Sequence, residues 1–167
     1  SWTDGELWID FTALRREELL MLVRLLTDRC DKSALSKIFG IYVSANKMGE
    51  WLSGDVVDIR SVVGYPGEIS PARPTTLIAL MGFETNRARA IIETYEPSRV
   101  LLGVPALEGS INQHLFDTKI STIAAGVVAQ RVPKIQICYA AVNDYNEETY
   151  SQVGNDSYLI PLTLLLE

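Results

Sequence analysis

The chain has 167 residues, 47% hydrophobic and 22% charged, the make-up of one globular domain with a core of useful size. With 15 basic against 21 acidic residues its formal charge is −6. That balance is wrong for general nucleic-acid binding, which needs a basic face against phosphates.

Leu7–Phe11 alternates as a short strand, and Thr12 behind it is a candidate cap for a helix from about Leu14 to Arg29. Arg15 stands where a capping box would place an acid, so that cap is partial. Leu19, Leu20, Leu22, Val23, Leu25 and Leu26 make a stripe wide enough that most of the helix should be covered. Ile38–Val43 is the second strand, followed by polar Ser44–Lys47 and a short helix over Met48–Leu52 that Gly54 ends. Val56–Val62 is the third strand. Gly64–Thr75, with Pro66, Gly67, Pro71 and Pro74, is the least regular segment. It reads either as a functional loop or as a crossover between two halves of a sheet.

Thr76–Met81 is the fourth strand, and Gly82-Phe83-Glu84 turns into a helix capped by Thr85 or Asn86 and stopped at Pro97. Arg99–Val104 is the fifth strand and Pro105–Ile111 a loop. Asn112 caps a helix with Phe116, Ile120, Ile123, Ala124, Val127 and Val128 on one face, and Pro133 ends it. Ile135–Ala141 is the sixth strand. After polar Asn143–Asn155, Tyr158–Leu166 reads as a last strand, at an edge because of Pro161.

This alternation of apolar runs and helical stretches predicts an α/β fold: a Rossmann-like, doubly wound, mainly parallel sheet of about six strands with helices on both faces, as a single domain over residues 1–167. The chain begins at Ser1 and ends at Glu167 directly after an apolar run, so it reads as a piece of a longer protein. Cys30 and Cys138 have no metal-ligand spacing and read as reduced thiols of a cytoplasmic protein. No segment is long enough to span a membrane.

Sites in open α/β sheets lie beyond the carboxyl ends of strands at the switch point. With the common strand order, the ends of the first and fourth strands would meet there. That would bring Asp10 and Thr12 beside Gly82 and Glu84. Paired carboxylates at Asp10 and Glu84 are candidate catalytic residues and candidate ligands for Mg²⁺; a strand-end acid beside a helix-terminal acid is the plainer reading. For ligand binding, Gly82, Thr85 and Asn86 offer backbone donors at a helix start, and Arg60 and Arg87 offer charge to a phosphate. Arg73 and Arg89 are further candidates, with Tyr65 and Phe83 as stacking surfaces. No dinucleotide fingerprint and no phosphate-loop Gly-Lys-Ser/Thr follows any strand. His114, the only histidine, has Asp117 three residues on, the spacing of a surface helical pair.

Three stretches carry a resemblance. They are Ile9-Asp10-Phe11-Thr12, then Asp58 to Gly67 (DIRSVVGYPG), then Gly82-Phe83-Glu84 with Arg87-Ala88 and Tyr95-Glu96-Pro97. Together they resemble a loosely defined group of uncharacterised bacterial proteins with a Rossmann-like domain, some of which accompany mobile-element or phage-defence genes. The resemblance implies a sensor or effector domain acting on nucleotides. Asp10, Thr12, Arg60, Gly82, Glu84 and Arg87 are its matching positions, and it carries over no catalytic residue. The first reading is therefore a domain of a sensor or regulatory protein that binds a small nucleotide-like ligand. A metal-dependent phosphoesterase or nucleotide hydrolase is one alternative. The other is an interaction or oligomerisation module whose last strand pairs with the rest of its own protein or a second copy.

Overall fold

Two strand–helix–strand units with parallel strands frame the molecule. In the computed structural model, which describes residues 5–47, 53–68, 70–80, 85–103, 118–145 and 152–166, the first unit runs from β1 (Leu7–Asp10) through α1 (Arg16–Arg29) and the single turn α2 (Lys32–Leu35) to β2 (Ile38–Lys47). The second runs from β4 (Thr76–Leu80) through α3 (Thr85–Tyr95) to β5 (Arg99–Gly103). Between them lies β3 (Val56–Ser61); after them come α4 (Thr118–Arg131), β6 (Cys138–Val142), β7 (Gln152–Pro161) and a 3-10 turn over Leu162–Leu166.

The strands do not join into one doubly wound parallel sheet. Among the described residues they form a mixed sheet of order β1-β2-β7, an antiparallel pair β3-β6 and a parallel pair β4-β5. The expected Rossmann-like sheet is thereby corrected. Each parallel pair is local in sequence and follows from a helix crossover. The antiparallel pairings β2-β7 and β3-β6 join segments far apart in the chain, and neither hydrophobic period nor run length names a strand's partner. The strands are also less buried than continuous apolar runs suggest: along β1 and β4 alternate residues point outward, and Ile78 is 63% exposed.

The helix boundaries follow their local chemistry. α1 starts one turn beyond the expected cap, at Arg15, whose N–H donates to the Glu18 carboxylate at 2.8 Å. α2 is capped by Asp31, which accepts from the Ala34 N–H at 2.7 Å. α3 ends at Tyr95, just before Pro97, and α4 ends at Arg131, just before Pro133. Pro161 closes β7, an edge strand. No helix among the described residues is long and apolar enough to cross a membrane. The expected helix over 48–52 and the loop over 105–111 lie outside the described residues.

The main core lies on one face of the mixed sheet, where Phe11, Leu19, Val23, Leu35 and Leu162 are almost wholly buried. At roughly 1.5–3 kcal/mol per side chain, burial of such residues is the main attraction holding α1 to the sheet. Gly40 in β2 is required here, because a Cβ at that position would overlap the Phe11 ring. A second cluster of Leu20, Val62, Tyr65 and Ala129 fixes the β3-β6 pair against α1 and α4. The irregular stretch over 64–75 is anchored by it: Tyr65 is buried, its hydroxyl donates to the Leu20 carbonyl at 3.2 Å, and Gln130 Nε2 donates to it at 2.9 Å. Its beginning is therefore a packing element. Tyr65 is not a stacking surface for a ligand.

Candidate functional site

The start of α1, the β3-β6 pair and the start of α3 meet around two tyrosines. β6 places Tyr139 opposite Arg60 of β3. Beyond β6 the chain stays beside the segment leading into β3, with Asn143 N–H donating to Asp55 O, Gly54 N–H to Asp144 O, and a bridge from Ser53 to Tyr145. This irregular extension of the ladder brings Tyr145 back over the sheet, and its hydroxyl lies 2.8 Å from that of Tyr139. The guanidinium of Arg15, the cap residue of α1, lies 4.7 Å from the Tyr145 ring centre. That of Arg87, in the first turn of α3, lies 5.8 Å from the same centre. Arg87 Nε also donates to Ser53 Oγ at 3.3 Å.

Electrostatics around the pair are tightly balanced. Burial, then the hydrogen bond to Tyr145, pushes the Tyr139 hydroxyl up to about 12, against the opposing pull of Arg87. Arg60 is committed elsewhere. Its Nε and Nη2 grip both oxygens of Glu17 at 3.0 and 2.9 Å, and its Nη1 donates to Asp58 at 2.9 Å. Those bonds raise its already high pKa, the Glu17 pairing most. Arg60 thus ties β3 to the first turn of α1 and is not held ready for a phosphate.

The other expected site residues fall as follows. Asp10 ends β1 and accepts the Thr12 N–H at 2.8 Å; hydrogen bonds from the Thr12 hydroxyl and backbone hold its carboxyl below the usual range. The Thr12 hydroxyl also accepts from the Val43 N–H at 3.0 Å, so this pair closes the turn after β1. Thr85 and Asn86 open α3 as exposed residues. Gly82, Phe83, Glu84, His114 and Asp117 lie outside the described residues.

Among the described residues β1 pairs with β2 and β4 with β5, so the strand adjacency that was to join Asp10 to Glu84 does not occur there. Arg73 and Arg89 are exposed. Of the expected set, Arg60 and Arg87 come to the same place, with Arg60 already paired. Sequence reasoning missed Tyr139, Tyr145, Ser53 and the part of Arg15. The signal available was slight: a tyrosine in an apolar strand and another in a polar stretch, with no spacing to join them.

No group of three or more His, Cys, Asp or Glu able to hold a metal ion occurs among the described residues. Cys30 and Cys138 are free thiols. The Cys138 thiol is pushed up by burial and donates weakly to Gln136 Oε1 at 3.6 Å. No known family, curated protein or solved structure shows detectable similarity to the chain.

Proposed function

We propose that the chain is a binding domain for a nucleotide-like ligand, seated at Tyr145 between the starts of α1 and α3, and that it acts as a sensor or regulatory domain. The observation that supports this reading is the convergence of Arg15 and Arg87 on one tyrosine ring. Guanidinium groups stack on aromatic faces and bind phosphate through a planar fork of donors. Two of them at one ring offer both contacts that a base or sugar linked to phosphate requires. The two cations come from different helix starts, where backbone dipoles also favour an anion. Ligand binding would then draw α1 and α3 together, which gives a regulatory domain a mechanical output.

Thermal unfolding against mono-, di- and cyclic nucleotides, with and without Mg²⁺, tests the reading. A ligand at about 100 times its Kd adds about 2.7 kcal/mol, which raises the Tm of a domain this size by roughly 5–11 °C. Arg15→Ala is expected to abolish that rise while leaving the unliganded Tm within about 2 °C, because its side chain is exposed. No rise with any nucleotide at millimolar concentration, or a full rise in Arg15→Ala, defeats the proposal.

A further inference from the structure

A carboxylate sits beside the proposed ligand site, in a place where it would oppose an anion. Glu17, in the first turn of α1, is two residues beyond Arg15, whose guanidinium lies over the Tyr145 ring. Both oxygens of Glu17 are gripped by Arg60, at 3.0 Å from Nε and 2.9 Å from Nη2. Arg60 in β3 is aligned with Tyr139 in β6, and the Tyr139 hydroxyl lies 2.8 Å from that of Tyr145. The Glu17 charge therefore reaches the tyrosine pair, where it opposes ionisation of Tyr139 as Arg87 favours it. The Nη1 of Arg60 donates to Asp58 at 2.9 Å, which holds the guanidinium along β3 and aims its fork at α1.

The Glu17 side chain is only 15% exposed. A carboxylate so far removed from water needs a cation, because leaving it unpaired costs more than the pair contributes. Without Arg60, the guanidinium of Arg15 at the same helix start is a cation that Glu17 can take. Its charge would then be cancelled inside the protein. We infer that Arg60 is a positioning residue of the proposed ligand site: by holding Glu17 it keeps that carboxylate off Arg15, so that Arg15 stays on the Tyr145 ring and turns its charge to the phosphate of a nucleotide. The inference rests on the ligand reading above and adds to it a residue that never touches the ligand. Arginine suits this task better than lysine, since two parallel N–H···O bonds occupy both carboxylate oxygens at once. Selectivity for an anion thus comes from removing an internal competitor as well as from attraction.

Two readouts on the whole chain test this. In the unliganded protein, proton–nitrogen NMR follows the Arg15 Nε–H resonance, which the Tyr145 ring current displaces; Tyr145→Leu identifies the displacement. Arg60→Met is expected to lose it, as Glu17 draws Arg15 away. The double variant Arg60→Met with Glu17→Gln is expected to regain it. Binding of ADP is expected to weaken about tenfold or more in Arg60→Met and to return within about twofold of wild type in the double variant. A side chain that only braces α1 against β3 predicts otherwise, because the double variant lacks the brace as well. The double variant also guards against misfolding, since it removes the orphaned charge together with its partner. A wild-type resonance in Arg60→Met, or a double variant no better than the single one, overturns the inference. Because the resonance is read without ligand, the two failures are distinguishable. A wild type unmoved by any nucleotide defeats the ligand reading, and the free-protein resonances then support or overturn the hold of Arg60 on Glu17 by themselves.

Discussion

The ammonium group of Lys119 in α4 donates to the Phe11 carbonyl at 2.8 Å, tying the turn after β1 to a helix more than a hundred residues later. The same group donates to the Thr12 carbonyl at 2.8 Å and to the Leu14 carbonyl. Three carbonyls that enter no strand or helix ladder are thus satisfied by one cation. The contact sets the direction in which the chain leaves β1 for α1, and with it the position of Arg15.

Lys119→Met keeps the aliphatic stem and removes the donors. Hydrogen bonds to a charged group contribute more than neutral ones, and half-buried carbonyls left without a partner add a penalty, so the expected loss is about 2–3 kcal/mol. Urea unfolding reads it as a lower midpoint with an unchanged slope. A midpoint within error of wild type would show that water replaces the ammonium at no cost.

Gly40→Ala puts a methyl group into the Phe11 ring, the largest fully buried side chain of the main core. Overpacking of this kind costs about 1–3 kcal/mol, and more where backbone must move. Thermal unfolding is expected to show a fall of several degrees or more. The paired variant Gly40→Ala with Phe11→Leu is expected to recover part of it, because the smaller side chain makes room.

Tyr65→Phe removes a hydroxyl that donates to Leu20 and accepts from Gln130. The buried Leu20 carbonyl then loses this partner, at about 1–2 kcal/mol. Denaturant unfolding measures the cost. A neutral result would mean that the ring alone anchors the 64–75 stretch.

Stability is expected to fall as the pH rises through the tyrosine range. Burial pushes Tyr95 and Tyr139 up to about 12 in the folded chain, while tyrosine in the unfolded chain titrates near 10. Above that pH the unfolded state has lost protons that the folded state keeps, so unfolding is favoured progressively up to about pH 12. Tyr139→Phe is expected to flatten the fall between pH 10 and 12. An equally steep decline in that variant would place the titrating group elsewhere.

Asp10 gives the opposite sign. Its carboxyl is held low by Thr12, so it stabilises the fold above the ordinary carboxylate range and ceases to do so as the pH drops through its folded value. Asp10→Asn is expected to be less stable at pH 7, with the gap closing below about pH 3–4. A gap independent of pH would point to packing and not to charge.

Much of the local structure was legible in the residues. Pro97 and Pro133 marked the ends of α3 and α4, and the apolar runs at Ile38, Val56, Thr76 and Arg99 each became a strand. Pro161 signalled an edge strand, but that strand runs over Gln152–Pro161 and not over Tyr158–Leu166, whose last five residues form a 3-10 turn. What misled was the length of those runs. Continuous apolar residues suggested strands buried on both faces, yet Ile78 and Leu80 face outward from a two-stranded sheet. The site was less legible, because Arg15, Arg87 and Tyr145 lie in three separate segments and no local pattern joins them.

Local chemistry by itself therefore determined which segments form helices and strands and where α3 and α4 stop, since prolines and hydrophobic period act over one or two turns. Only the tertiary structure decided that β2 pairs with β7 and β3 with β6, that Arg60 goes to Glu17, and that Tyr145 meets two arginines. Those outcomes depend on which distant surfaces bury each other most completely. Burial is a property of the whole packed chain, and no short stretch of it encodes its own partner.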